Sequence, residues 1–242
     1  MSDLPLDTVL DQLTTFLRDL IADSLGREAS PATLGILADA AREAIDGVTA
    51  ELTRAIPPPR PLACRSGCTH CCRLPVVTDP LTVLSLAAHI RRSWSAAEIA
   101  GLLDRVRAYL QVLAQGLVGG EPRPLCPLLV DGACSAYAHR PLICRSFNAF
   151  DAGQCEDAFT RGRQERKVDT YMVPIEVGAA LSRGLRAGLQ RIGFPDEELE
   201  LAPALAIALS RDDAAEAWLA GEPVFATAVI AVEARLRQAP AR

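Results

Sequence analysis

Four cysteines lie within nine residues, between Cys64 and Cys72, in the stretch CRSGCTHCC. This spacing constrains the fold more than any other feature, because a hydrophobic core has no need of four thiols so close together. Four further cysteines are spread over a later segment rich in proline and glycine: Cys126, Cys134, Cys144 and Cys155. Clustered cysteines in an intracellular chain are typical of metal or redox sites. We therefore expect metal or redox chemistry at these two segments.

The composition favours an ordered, soluble protein. Of the 242 residues, 50% are hydrophobic and 23% are charged, which is ordinary for a globular chain. The formal net charge of -5 disfavours binding to nucleic acid or anionic lipid. The N-terminal stretch lacks the pattern of a signal peptide, and no apolar run reaches the roughly 18–20 residues of a membrane helix. We predict a cytoplasmic protein, with no nucleic-acid or membrane partner, whose thiols stay reduced.

Hydrophobic periodicity predicts a mainly α fold. Residues 6–25 repeat apolar positions at helical spacing, with Gly26 expected just past the end. A second helix is predicted from Ser30-Pro31 to about Ile56, and a capping box of Ser95 and Glu98 opens another. Further helices are expected at 80–90, 96–117, 174–192, 195–210, 212–220 and 223–238.

The cysteine segments interrupt this helical pattern. The run PPPRP, residues 57–61, stops the second helix and leads into the first segment. Residues 119–156 lack sustained periodicity, apart from short strand-like pieces between Cys126 and Val130. We therefore predict helices that enclose two irregular cysteine-bearing loop segments converging on a metal centre. The chain divides into an N-terminal helical segment (1–56), a metal-binding domain (57–170) and a C-terminal helical segment (171–242), packed as one globular unit.

The first segment is better suited to a loop than to a helix. In a helix, Cys64 and Cys71 would lie about 10 Å apart along the axis, at about 1.5 Å per residue. Thiolates that far apart cannot share one tetrahedral ion with metal–sulfur bonds of about 2.3 Å. Gly67 and the preceding prolines favour a loop that wraps one centre, while a helix would present its thiols to several metals.

The second segment suits a chain that passes a site repeatedly, with a turn expected at Asp131-Gly132. Thiolate-rich sites select zinc or iron–sulfur clusters over hard cations. Widely spaced ligands slightly favour a cluster, whereas zinc with four thiolates would be a closed structural site. Because eight cysteines exceed the four that one closed centre requires, two sites, or one site with spare thiols, are both open. Four arginines near the cysteines would stabilise the negative site: Arg65, Arg73, Arg140 and Arg145.

Other interpretations remain open for single features. Cys68-Thr69-His70-Cys71 has the form of a dithiol redox motif, but it lacks the strand–helix setting of a thioredoxin-like fold. The spacing Cys64-x3-Cys68-x2-Cys71 matches the cluster-binding triplet of radical S-adenosylmethionine enzymes, but the α/β barrel of those enzymes is not predicted. Cys155 alone can be a buried apolar side chain. The histidines have lesser roles: His70 as a donor beside the ligands, His89 as a structural residue and His139 as an undecided loop residue.

Two elements together resemble the YkgJ-type cysteine-cluster proteins, which are described as zinc- or iron-chelating domains with a CxxCxxCC signature. The first is the run from Cys68 to Cys72, preceded by Cys64. The second runs from Cys126 to Phe147 and contains a Cys-Pro pair, a Gly-x-Cys turn followed by Tyr, and Arg-Pro-x-x-Cys-Arg. The similarity covers roughly residues 60–156. This chain departs from the signature by having three residues, rather than two, between Cys64 and Cys68.

The resemblance implies a metal or iron–sulfur site without an established reaction. Its candidate metal ligands are all eight cysteines: Cys64, Cys68, Cys71, Cys72, Cys126, Cys134, Cys144 and Cys155. Its expected partner is the metal ion or cluster itself. A flagellin lysine N-methylase is similar in its cysteine pattern, so an iron–sulfur-dependent protein-modifying enzyme is one alternative. A cysteine-rich metal store is another, and it would need a more helical array of thiols.

Overall fold

Two long helices begin the chain in the computed structural model, which describes residues 5–65, 67–116, 122–161 and 167–229. Helix α1 spans Leu6–Arg27 and buries most of the apolar face that its periodicity predicts, with Phe16 exposed. Helix α2 spans Pro31–Ala55. Its start is set by Ser30, whose side chain accepts a hydrogen bond from the Thr33 N–H, with proline at the first helical position.

Two further helices follow the first cysteine segment. Helix α3 spans Pro80–Ser93, and partly buried Asp79 caps it by accepting a hydrogen bond from the Thr82 N–H at 2.8 Å. Helix α4 spans Ala96–Gln115 and begins with the predicted capping box. Both starts are confirmed, because a cap depends on residues only three positions apart.

The second cysteine segment contains only short elements. Helix α5 spans Leu142–Ser146, and helix α6 spans Ala152–Cys155 and continues into a π-helical turn over Glu156–Thr160. Single 3-10 turns occur at His70–Arg73 and Tyr137–His139. The C-terminal helices are α7 (Met172–Arg191), α8 (Leu201–Ser210) and α9 (Ala214–Leu219).

Four two-residue strands form two antiparallel pairs. Strand β1 (Val77–Thr78) pairs with β4 (Leu199–Glu200), and β2 (Leu129–Val130) pairs with β3 (Ala133–Cys134). The mainly α prediction is confirmed for the described residues, in which strands are few and short.

Helix α7 organises the packing. It lies along α1, and it also contacts α2 and α5. Gly184 and Gly188 allow the close approach of α1, because a Cβ at Gly184 would lie 2.5 Å from the Thr14 carbonyl oxygen. A Cβ at Gly188 would meet Ile21 at 2.8 Å. Helices α3 and α4 pack against α8, so one buried apolar cluster draws on both ends of the chain.

Three predicted boundaries are wrong. Helix α1 continues through Gly26, because the helical hydrogen bonds extend to Arg27. The helix predicted at 195–210 begins only at Leu201, since the two residues before it pair with β1. Residues 223–229 of the predicted last helix form turns that return to β4, and residues 230–238 lie outside the described part. None of the described helices has the length and apolar character needed to cross a membrane.

Candidate metal centre

The first cysteine segment is an irregular loop that ends in the 3-10 turn His70–Arg73. Gly67 has a positive φ of 82°, a conformation that glycine adopts without strain. The chain turns there, so that the Cys68 N–H donates to the Arg65 carbonyl at 3.0 Å. The two adjacent cysteines lie in the 3-10 turn. The loop prediction is therefore confirmed, and the extended helical thiol array that a metal store would need is not formed here.

The exposed end of this loop lies beside the second cysteine segment. The Ala63 N–H donates to the Ala149 carbonyl at 2.9 Å. Next to it, the exposed sulfur of Cys64 accepts a hydrogen bond from the Ala149 backbone. Cys155 is the last residue of α6 and is buried. The charge of Cys64 contributes to raising the pKa of its thiol. Residues far apart in the sequence thus meet at this end of the loop.

A backbone hydrogen bond also joins the other end of the loop to the second segment. The Cys126 N–H donates to the Cys72 carbonyl at 2.8 Å. The β2–β3 hairpin then turns at Asp131-Gly132, where both residues have positive φ, 50° and 76°. This turn is the one that the sequence predicts, and it brings Cys134 back into the electrostatic neighbourhood of Cys126.

Cys144 is carried by α5, which is held against α7 and α2. The chain after α5 is fixed by buried Asn148, whose side chain donates to the Tyr171 carbonyl and accepts from the Tyr171 N–H, both at 2.9 Å. Gly178 of α7 permits close contact with α5, because a Cβ there would lie 2.8 Å from that of Ser146. The role of Asn148 was missed, since nothing local in the sequence marks a contact with a residue 23 positions away.

The eight thiols divide into two groups by their mutual electrostatic effects. The first, which we name the Cys72 group, comprises Cys71, Cys72, Cys126, Cys134 and Cys144. The second, the Cys64 group, comprises Cys64, Cys68 and Cys155. The influence of Cys68 on Cys71 links the two groups. All eight cysteines are free thiols.

Burial sets most of the thiol pKa values. It is the largest cause that raises the pKa of Cys126 to about 12 and of Cys155 to about 11, and it also raises the pKa of Cys144. Neighbouring thiolates contribute to the same shifts, since like charges disfavour ionisation. Cys126, Cys144 and Cys155 therefore hold their protons near neutral pH unless a cation compensates the charge.

Cys72 is the exception. A hydrogen bond from the Cys71 thiol lowers the pKa of Cys72 to about 7 despite partial burial, and the Arg140 guanidinium contributes to the same effect. That hydrogen bond also raises the pKa of Cys71, which keeps the proton. Arg140 is stacked over the Tyr137 ring, at 3.6 Å from its centroid. The Cys72 thiolate therefore begins to form near neutral pH, and the Arg140 guanidinium stabilises it.

The arginines predicted to support the site have different roles. Arg140 acts on three thiols of the Cys72 group by lowering their pKa values. Arg145 is instead paired with Asp46, and Arg73 donates to the Arg123 carbonyl at 2.6 Å. Electrostatic support for the thiolates is therefore concentrated in one residue of the four.

The three histidines lie in two different places in the structure. His70 Nδ1 is 3.0 Å from the Thr160 hydroxyl, beside the cysteine loop. His89 and His139 lie together instead, with stacked rings whose centroids are 3.5 Å apart. The sequence predicts no such pair, because the two residues are 50 positions apart.

The cysteines fit a metal by the chemistry of their donor atoms but not by their arrangement in the structure. Clustered, buried sulfur donors fit zinc or an iron–sulfur cluster. Within the described residues, however, no three His, Cys, Asp or Glu side chains are grouped so that they would hold a metal ion. The structure therefore brings cysteines of both segments into two neighbourhoods, and their ligation of a common ion stays a prediction.

Comparisons of the chain with known protein families, with curated proteins and with solved structures find no match.

Proposed function

We infer that the chain is a metal-binding protein in which the Cys72 group holds an iron–sulfur cluster or a zinc ion. The observation that carries this proposal is the set of five thiols that shift one another's pKa values, although they come from four places in the chain: the 3-10 turn, the stretch before β2, β3 and α5. Five mutually repelling thiolates are unfavourable together unless a cation balances their charge. A thiophilic metal supplies that balance and replaces the protons that burial retains.

The residues around the group have defined roles in this proposal. Arg140 offsets the excess negative charge of a thiolate-ligated centre, and the partial burial of Cys126 and Cys144 limits the access of water. The hydrogen bond from Cys126 to Cys72 holds the two segments in register before a metal binds. Because ligation releases protons, the affinity for the metal rises with pH.

An iron–sulfur cluster is the favoured occupant. Its several metal atoms accept ligands from widely spaced segments. The resemblance to YkgJ-type proteins points to the same two metals. A zinc ion would make the site structural, closing the loops. The Cys64 group is the corresponding candidate for additional ligands or a second centre.

Thiol–disulfide exchange is a second candidate function, and one observation favours it. The low pKa of Cys72 makes its thiolate available near neutral pH, with another thiol adjacent. Cys72 cannot serve both functions at once, because a thiolate that ligates a metal is protected from disulfide exchange. Metal content therefore distinguishes them.

The test is the metal and sulfide content of anaerobically purified protein, together with its visible spectrum. We expect a brown protein with broad visible absorption, iron and acid-labile sulfide; a colourless protein with stoichiometric zinc would indicate the structural alternative. A Cys126→Ser, Cys144→Ser double variant should lose the metal from the Cys72 group.

Cys64→Ser is the matched control, because it removes an exposed thiol that belongs to the other group. It should keep the metal of the Cys72 group. A wild-type protein that carries no metal, or a double variant that keeps all of it while its helical circular dichroism is unchanged, would refute the proposal.

A further inference from the structure

A polar cavity lies beside helices α2 and α3. It has a volume of about 230 Å³ and is bounded by the N-terminal half of α2, by α3 and by the 3-10 turn at Tyr137–His139. Its polar lining consists of Asp39, Arg42, Ser85, His89, Arg92 and His139. None of the eight cysteines lines it. The volume is below the roughly 300–1,000 Å³ typical of sites for drug-sized ligands, so only a small molecule fits.

The charges of this cavity are predominantly positive. Arg42 lies in it with only 11% of its side chain exposed and is paired with Asp39. Arg92, on α3, has no carboxylate partner among the residues that the structure describes. Two guanidinium groups thus face one carboxylate, which leaves an excess of one positive charge beside two imidazoles.

Burial and this excess positive charge lower the pKa values of both stacked imidazoles. The pKa of His139 is lowered to about 4, chiefly by burial and also by the charges of His89 and Arg42. Burial also lowers the pKa of His89, with Arg92 and Arg42 adding to the effect. Asp39 acts in the opposite direction on both rings, but it does not cancel the cations. The rings are therefore neutral near pH 7 and can each donate one N–H.

The remaining neighbours of the rings do not supply a negative charge. The Ser93 hydroxyl is 3.4 Å from His89 Nδ1. Arg145, whose charge also lowers the pKa of His139, is itself paired with Asp46. A metal cation is disfavoured here by the two arginines, and no third metal-ligating side chain joins the histidines within the described chain. An anion with several acceptor oxygens matches the donors.

We propose that this cavity binds a small oxyanion of the phosphate class through Arg42, Arg92 and the His89–His139 pair. Planar guanidinium groups and imidazole N–H donors suit the multiple acceptor oxygens of such an anion. The occupant is inorganic phosphate or the phosphate group of a small ester, because the cavity is too small for a larger ligand. No cysteine lines this site, although His139 directly precedes Arg140 in the chain.

The test uses nuclear magnetic resonance of histidine ring signals in the full-length protein, which has three histidines. Inorganic phosphate should shift the His89 and His139 signals saturably at millimolar concentration and raise the pKa values of both rings. His70, beside the cysteine loop, should not respond. Glycerol phosphate is the second probe: tighter binding than that of inorganic phosphate assigns the site to esters, and weaker binding assigns it to the free ion.

Two variants make the test specific. Arg92→Gln, at an exposed position, should weaken phosphate binding about tenfold or more, because a charge-assisted contact is lost. Asp39→Asn should strengthen binding, because it removes the competing carboxylate. Arg54→Gln, on the same helix as Arg42 but about 18 Å along it at 1.5 Å per residue, is the matched control and should bind like the wild type.

The proposal is overturned if phosphate leaves both ring signals unchanged. It is equally overturned if sodium chloride at the same ionic strength causes the same shifts, since the effect would then be general screening. Equal binding by Arg92→Gln and Arg54→Gln would also contradict it, because the uncompensated cation would then have no role.

Discussion

At the scale of single residues, two adjacent side chains with the same chemistry differ in ionisation. Cys71 donates its proton to a hydrogen bond and Cys72 accepts it, so the pKa of the first rises and that of the second falls to about 7. The 3-10 turn places the two sulfurs together, and Arg140 adds a positive charge on the side of Cys72. The sequence shows the pair but not which member ionises.

This asymmetry predicts selective alkylation of Cys72. In protein freed of metal by a chelator, the alkylation rate of Cys72 should rise with pH through a midpoint near 7, because the thiolate is the nucleophile. Cys71→Ala removes the hydrogen bond and should move the midpoint toward the ordinary value of about 8.5. Peptide mass spectrometry after timed alkylation measures each site.

Cys126 serves as the internal control for this measurement, because its pKa is raised to about 12 and it should remain unmodified over the same range. A midpoint that stays near 7 in Cys71→Ala would rule out the hydrogen bond as the cause.

At the scale of elements, the packing of α1 on α7 depends on two glycines. Both lie on the face of α7 that meets α1, and the backbone of α1 occupies the space that a side chain would take. Helical glycine is unfavourable by roughly 0.5–1 kcal/mol relative to alanine. Its presence here is explained by the close approach of the two helices.

Replacing either glycine should therefore destabilise the protein. Gly184→Ala places a Cβ 2.5 Å from the Thr14 carbonyl oxygen, and Gly188→Ala meets the backbone of Arg18 at 2.8 Å. Because backbone atoms cannot move aside cheaply, we expect a loss of about 1–3 kcal/mol in the free energy of unfolding. Urea denaturation followed by circular dichroism measures the change.

Gly47→Ala is the matched control, since a Cβ at that position of α2 has no other atom within 4 Å. It should be neutral or stabilising by up to about 1 kcal/mol, through the higher helix propensity of alanine. If the α7 variants were as stable as Gly47→Ala, the close packing of α1 on α7 would be incorrect.

At the scale of the whole molecule, a mostly buried polar network ties together three distant segments. Tyr109 of α4 donates to Glu200 of β4 at 2.7 Å, and Arg123 donates to both residues. The arginine and glutamate side chains are 13% and 21% exposed. Arg123 also accepts, through its carbonyl, the hydrogen bond from Arg73 of the cysteine loop. The network thus connects the helical body with the candidate metal centre.

Breaking the network should be costly. Glu200→Ala leaves the Arg123 charge buried without its carboxylate, so we expect about 3 kcal/mol of destabilisation. Thermal or urea unfolding measures the loss, and metal content reports whether the cysteine loop is disturbed as well. Loss of the exposed Glu51–Arg54 pair in Glu51→Ala should cost less than about 0.5 kcal/mol. Similar losses in the two variants would mean that the network is not stabilising.

The amino-acid sequence by itself determined the local features of this protein. The starts of α2, α3 and α4, the loop form of the first cysteine segment and the turn at Asp131-Gly132 all depend on residues within a few positions of one another. Caps, proline placement and positive-φ turns are set by such short-range contacts, so a pattern of residues predicts them. The presence of two cysteine-bearing segments was also evident, because it depends only on the order of residues in the chain.

Only the tertiary structure decided how these features combine. It divided the cysteines into two groups, brought Arg140 into the electrostatic neighbourhood of Cys72 and joined His89 to His139. The residues before α8 form a strand rather than the start of the helix. They do so because they pair with β1, which lies over a hundred positions earlier in the chain. Such contacts depend on burial and on pairing between distant segments, which no local pattern in one chain encodes.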